Sequence, residues 1–99
     1  MTTETIRVVA RLTAKPNRIH ETRVALEALI EPTRAEAGCL VYELMQNNAD
    51  ATDFTFVEEW ESNETLDAHL VSGHIRALQE KANDLFANAP DIRRYSLLK

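Results

Sequence analysis

Glycine is almost missing from this chain: Gly38 and Gly73 are its only two. A phosphate cradle built from backbone amides needs several glycines close together, so nucleotide and flavin sites of the common Gly-rich kind are excluded. Cysteine is scarcer still. Cys39 stands alone, which rules out an intrachain disulfide and the usual thiolate zinc sites. Basic residues are outnumbered, with 11 Lys and Arg against 16 Asp and Glu, for a formal net charge of −5. No basic run occurs, so neither nucleic acid nor an anionic membrane surface is expected as a partner. No apolar run approaches the roughly 20 residues that cross a bilayer. The opening residues Met1-Thr2-Thr3-Glu4-Thr5 are polar and lack the apolar core of a signal peptide, so a cytoplasmic location is expected.

What is present fits one domain spanning residues 1–99. The 44% hydrophobic and 27% charged content is that of a globular protein. A domain this small buries only about two-thirds of its unfolded surface, so help from a partner subunit is expected.

Ile6 to Leu12 alternates, with Ile6, Val8, Ala10 and Leu12 on one face, which is a strand signal. Pro16-Asn17 ends it, and Asn17 is the candidate cap of a helix whose inner face holds Ile19, Leu26, Leu29 and Ile30. Pro32 should kink or restart that helix, and Gly38 is placed to stop it. Cys39 to Met45 reads as a second strand with Leu40, Tyr42 and Leu44 sharing a face. After the turn Asn47 to Asp50, a third strand runs from Phe54 to Trp60, with Phe54, Phe56, Glu58 and Trp60 together. Ser62-Asn63 starts a short helix carrying Leu66, His69 and Leu70, and Ser72-Gly73 breaks it. A further helix presents Ile75, Leu78, Ala82, Leu85 and Phe86, and a last strand spans Ile92 to Leu98.

The order β-α-β-β-α-α-β is that of a split β-α-β, ferredoxin-like α+β fold with its second helix broken in two. Its four-stranded antiparallel sheet would carry the helices on one face. Val9, Val41 and Val57 fall on the other face, and no element is left to cover them. A second copy of the sheet would do so, making a homodimer.

His69, between Leu66 and Leu70, faces inward, where an imidazole titrating near neutrality can move protons. It reads equally as a core histidine with a hydrogen-bond partner. Glu58, on an aromatic strand face, must be paired or protonated if buried. It can orient His69 or another ring nitrogen, or form an ion pair with an arginine. Trp60 and Tyr42 suit a flat aromatic ligand or simply pack the core, and Phe56 continues their wall. His74 can line the pocket mouth or cap the next helix. His69 and His74 have no third ligand at a recognisable spacing, so no metal and no other cofactor is expected. Cys39 reads as a small buried hydrophobe.

Three segments carry a family resemblance: Glu36-Ala37-Gly38-Cys39-Leu40-Val41-Tyr42, Phe56-Val57-Glu58-Glu59-Trp60, and His69-Leu70-Val71-Ser72-Gly73-His74. Together they resemble the antibiotic biosynthesis monooxygenase (ABM) family of dimeric α/β barrels. The resemblance implies a pocket between sheet and helices in each subunit, and several possible chemistries. One is cofactor-free monooxygenation of a small aromatic phenol or quinol. In that scheme His69 is the proton-transfer group, Glu58 its orienter, and Trp60, Tyr42, Phe56 and His74 contact substrate. A second is isomerisation of a small phosphorylated or carbonyl metabolite, with Arg76 or Arg94 as anchor. A third is a non-catalytic, ligand-binding stress-response barrel. The haem-degrading members are similar in fold, but their haem-ligating histidine and strand-one asparagine would fall at Gln79 and Ala10.

Overall fold

The structure is a computed structural model and describes residues 5–99. In chain order it comprises β1 (Ile6–Thr13), α1 (Ile19–Glu27), α2 (Ile30–Arg34), β2 (Cys39–Gln46), β3 (Asp53–Trp60), α3 (Asn63–Leu70), α4 (Gly73–Leu85) and β4 (Asp91–Tyr95). The strands form one antiparallel sheet in the order β2-β3-β1-β4. This is the α+β ferredoxin-like arrangement that the element order implies.

The core sits between the sheet and the helices. Strand alternation sends Val8, Ala10 and Leu12 of β1 and Phe54, Phe56, Glu58 and Trp60 of β3 to the same side. All seven are buried. Leu26 of α1, Leu66 of α3 and Leu29 between α1 and α2 close over them. Pro32 acts as a restart. It is the third residue of α2, where its missing N–H is one the helix leaves unpaired anyway, and the break lies just before it at Ala28–Leu29.

Gly38 comes four residues after the last residue of α2 and shapes the turn into β2 rather than capping the helix. Its φ of +84° lies in the left-handed region. A Cβ there would come within 2.5 Å of Thr65 Cγ2. Thr65 is fixed in place: Ser62 Oγ accepts from its backbone N–H, and its own hydroxyl caps the Ser62 amide in return, a reciprocal box at the start of α3. The missing side chain at position 38 is what lets α3 approach the end of the sheet.

Four local expectations are corrected. Asn17 does not cap α1; Arg18 holds that position, without a side-chain cap bond. Leu40 does not share a face with Tyr42 and Leu44. A bulge between Cys39 and Val41 inserts one extra residue, and Leu40 is left 48% exposed. The last strand ends at Tyr95, and Leu97 and Leu98 are exposed beyond it. The outer face of the sheet is mixed rather than apolar. Val9 pairs with Val57 at its centre, but Arg7–Glu59 and Arg11–Asp53 ion pairs lie on the same face. Among the described residues, no helix is long and apolar enough to cross a membrane.

Candidate active site

A cavity of ≈ 410 Å³ lies between the sheet and α3–α4. Its wall is mostly aliphatic and aromatic: Val8, Leu12, Phe56, Leu66, Leu78 and Phe86 are typical. Polar groups come from Tyr42, Glu58, His69 and Gln79. Among the described residues, no Lys or Arg lines it. The apolar wall follows from period-two strands facing the inner side of two amphipathic helices. Tyr42, Glu58 and His69 share these same faces and are buried by register, while Gln79 is exposed.

His69 occupies the last turn of α3 and is 2% exposed. Its ring lies 4.7 Å from that of Trp60 and 5.5 Å from that of Tyr42, centre to centre, which fixes its plane. Its Nδ1 lies 2.6 Å from Glu36 Oε2. An ionised carboxylate can only accept, so Nδ1 carries the proton and Nε2 keeps the lone pair. Nε2 makes no hydrogen bond among the described residues, and His69 borders the cavity. Burial pushes the imidazole below its ordinary pKa, against the opposing pull of Glu36, and His74 adds to the downward push. Burial thus favours the neutral ring, the state a general base needs.

Glu36 is the residue that sequence reasoning missed. It lies in the turn after α2, 33 residues from His69, where no periodicity assigns it a face. The signal was its place in the Glu-x-Gly segment ahead of β2. That turn is held by Glu36 N–H to the Thr33 carbonyl (2.9 Å) and by the Arg34 guanidinium, which donates twice to the Tyr42 carbonyl. The same Glu36 oxygen accepts from His74 Nε2 at 2.9 Å. His74 reaches it because Ser72-Gly73 breaks the helix: Ser72 Oγ donates to the His69 carbonyl at 2.6 Å and starts α4 on a new axis. The third ligand-type group beside the two histidines is therefore Glu36, which lies 33 residues from His69, where sequence spacing gives no sign of it.

Glu58 engages a ring nitrogen, but the indole of Trp60 rather than His69. Trp60 Nε1 donates to Glu58 Oε1 at 2.8 Å. Burial raises the Glu58 carboxyl to about 7, more than the Trp60 hydrogen bond lowers it, with the Glu36 charge adding to the rise. Near pH 7 it is poised between acid and carboxylate. Burial, then the Glu58 charge, pushes the Tyr42 phenol far above its ordinary value, so it stays protonated. Of the sequence-predicted site residues, Tyr42, Phe56, Glu58 and His69 border the cavity. Trp60 does not. It is fully buried, packed on the His69 ring and bonded to Glu58. His74 also lies outside this cavity.

Comparison with known proteins now decides the family. The description "Antibiotic biosynthesis monooxygenase" matches residues 5–81. The chain belongs to the antibiotic biosynthesis monooxygenase family. "Putative monooxygenase Rv0793" of Mycobacterium tuberculosis is 34% identical over 83 residues, covering 84% of this chain and 81% of that protein. An uncharacterised Synechocystis protein, sll1783, is 29% identical over 91% of this chain, and the chain spans only 61% of its length. Among solved structures, PA3566 from Pseudomonas aeruginosa superposes with a TM-score of 0.94 at 29% identity, covering 100% of this chain and 99% of that one.

Proposed function

We propose that this ABM-family chain is a cofactor-independent monooxygenase acting on a small aromatic phenol or quinol. The observation that carries the reading is His69. Its ring, pinned through Nδ1 by Glu36, borders a mostly apolar cavity with Nε2 left unpaired among the described residues. There it takes the acidic proton of the substrate. The carbanion-like, electron-rich anion then reduces dioxygen and forms a C–O bond. The resulting hydroperoxide loses water across its O–O bond, leaving a new carbonyl in the product and the second oxygen atom in water. The substrate supplies all the electrons, so no external reductant enters the balance. Glu58, when protonated, and the Tyr42 hydroxyl are suited to stabilise the developing oxyanion, and the dry wall strengthens both interactions.

One observation speaks against the isomerase reading. A phosphorylated metabolite needs a cationic anchor, and none lines the cavity among the described residues. Arg94 is tied instead to Asn63 and Asp67. The reading also includes a homodimer through the outer sheet face, with the Val9–Val57 stripe at its centre.

The test is oxygen-18 incorporation from labelled dioxygen into an anthrone or naphthol product, in the presence of a chelator. His69→Ala should lower turnover about 10²–10⁴-fold. Because the ring is packed against Trp60 and Tyr42, the same change should also cost about 2–3 kcal/mol of stability, so rates are compared per folded molecule. A ligand that binds without any oxygen incorporation would favour the non-catalytic barrel.

A further inference from the structure

The Glu36–His69–His74 cluster has more coordinating capacity than the orientation of one base requires. We infer that it forms a site for a divalent transition-metal ion of the zinc type. The inference rests on geometry. Glu36 Oε2 is 2.6 Å from His69 Nδ1 and 2.9 Å from His74 Nε2, and the three ligand atoms lie within 4.8 Å of one another. Donors bound to one tetrahedral zinc at about 2.1 Å stand roughly 3.4 Å apart, so an adjustment of about 1 Å converts the cluster to a coordination set. Among the described residues, no second cluster of this kind occurs.

The chemistry of the set agrees. Two imidazoles and one carboxylate are ligands zinc favours, and three protein ligands leave a fourth position for water. The ligands come from three separate element ends: the turn after α2, the last turn of α3 and the first turn of α4. Trp60 and Tyr42 hold the His69 ring from behind, and the turn that carries Glu36 is tied by the Thr33 carbonyl and by Arg34. Such outer contacts orient ligands before an ion arrives. Access is available, because the Glu36 and His74 side chains are 18% and 22% exposed. Glu36 Oε1 makes no hydrogen bond among the described residues and is free to coordinate as well.

Occupancy would have a consequence that rests on the functional reading above. A neutral imidazole bound to metal through Nδ1 carries its proton on Nε2. The proton moves across the ring and need not leave the protein. Nε2, left unpaired among the described residues, then changes from acceptor to donor, so zinc should inhibit the proposed oxygenation rather than support it.

The experiment is equilibrium dialysis of chelator-stripped protein against Zn²⁺, with the visible spectrum of the Co²⁺ form reporting coordination geometry. One ion per chain is expected, with a dissociation constant in the micromolar range or below. Thermal stability should rise with Zn²⁺ as mass action requires. His74→Ala, a change at a partly exposed helix start that should fold normally, and Glu36→Gln should each weaken binding about 100-fold. His20→Ala, at an exposed histidine of α1, should bind as the parent does. Absence of binding at high micromolar Zn²⁺ would overturn the site, as would unchanged binding in His74→Ala. Binding without inhibition of an oxygenation that the stripped protein performs would keep the site and remove His69 as the base. Failure of every quinol or anthrone tried would sink the oxygenase reading and leave the dialysis result standing.

Discussion

Replacing Glu36 by glutamine isolates what the carboxylate does for His69. The change keeps the shape and removes the charge 2.6 Å from Nδ1. A hydrogen bond to an ionised partner contributes about 1.5–3 kcal/mol and a neutral one about 0.5–1.5 kcal/mol, so the pair loses about 1–2 kcal/mol. The loss falls mainly on the imidazolium formed as the proton moves, because that is where the carboxylate charge counts most. The Glu36 side chain is 18% exposed, and solvent screening favours the lower end of that range. At 1.36 kcal/mol per factor of ten, kcat should fall about tenfold. Glutamine can also donate to Nδ1, which would move the ring proton to Nε2 and remove the base from part of the molecules. Nitrogen-15 NMR of the imidazole should therefore show a shift from the Nδ1–H tautomer towards a mixture. Oxygen uptake with an oxidisable quinol, measured with chelator present and corrected for folded fraction, is the assay. An unchanged rate together with an unchanged tautomer would refute the dyad, whatever happened to the melting temperature.

Three other measurements follow from the same geometry. Glu58 has a folded pKa of about 7, above its model-peptide value of 4.5, so the folded state holds its proton more tightly. Stability from this group is complete below about pH 4.5 and declines as pH rises through 7; Glu58→Gln should remove about 2–3 kcal/mol of that decline between pH 4.5 and 8, read as the difference between two urea titrations. A parallel pH dependence in both proteins would contradict it. Gly38→Ala should destabilise by about 2–3 kcal/mol, from the left-handed φ and the displaced Thr65 cap, and thermal denaturation with no loss would show that the turn relaxes freely. Val57→Glu, at the centre of the outer sheet face, should convert the proposed dimer to monomer in sedimentation, and a parent chain already monomeric at micromolar concentration would count against the dimer.

Much of this architecture is legible in the sequence because its elements carry clean periods. Phe54, Phe56, Glu58 and Trp60 alternate without interruption, and β3 is placed with its inner face correctly assigned. Leu66, His69 and Leu70 identify the buried side of α3 for the same reason. Legibility fails where an extra residue or a turn interrupts the count. Leu40 is misplaced because one bulged residue flips every face assignment on its N-terminal side. Leu97 and Leu98 look like strand, but the pairing with β1 ends at Tyr95. Glu36 escapes notice because its role is defined by a contact across 33 residues, and a turn gives no hint of direction. Trp60 is placed on the right face but lies too deep to line the cavity, since alternation reports which face a side chain takes and not how deep it lies.

The junction between α3 and α4 also bears on how such a site can change over generations. On one continuous helix, residues five apart diverge by about 140°, and His69 and His74 could not meet at the same oxygen. The two-residue interruption Val71-Ser72 uncouples their azimuths. A single insertion or deletion there would swing His74 away while His69, anchored by Trp60, Tyr42 and Glu36, kept its place. Descendants of this chain could therefore gain or shed the second histidine contact by altering the length of one short connection, with His69 undisturbed.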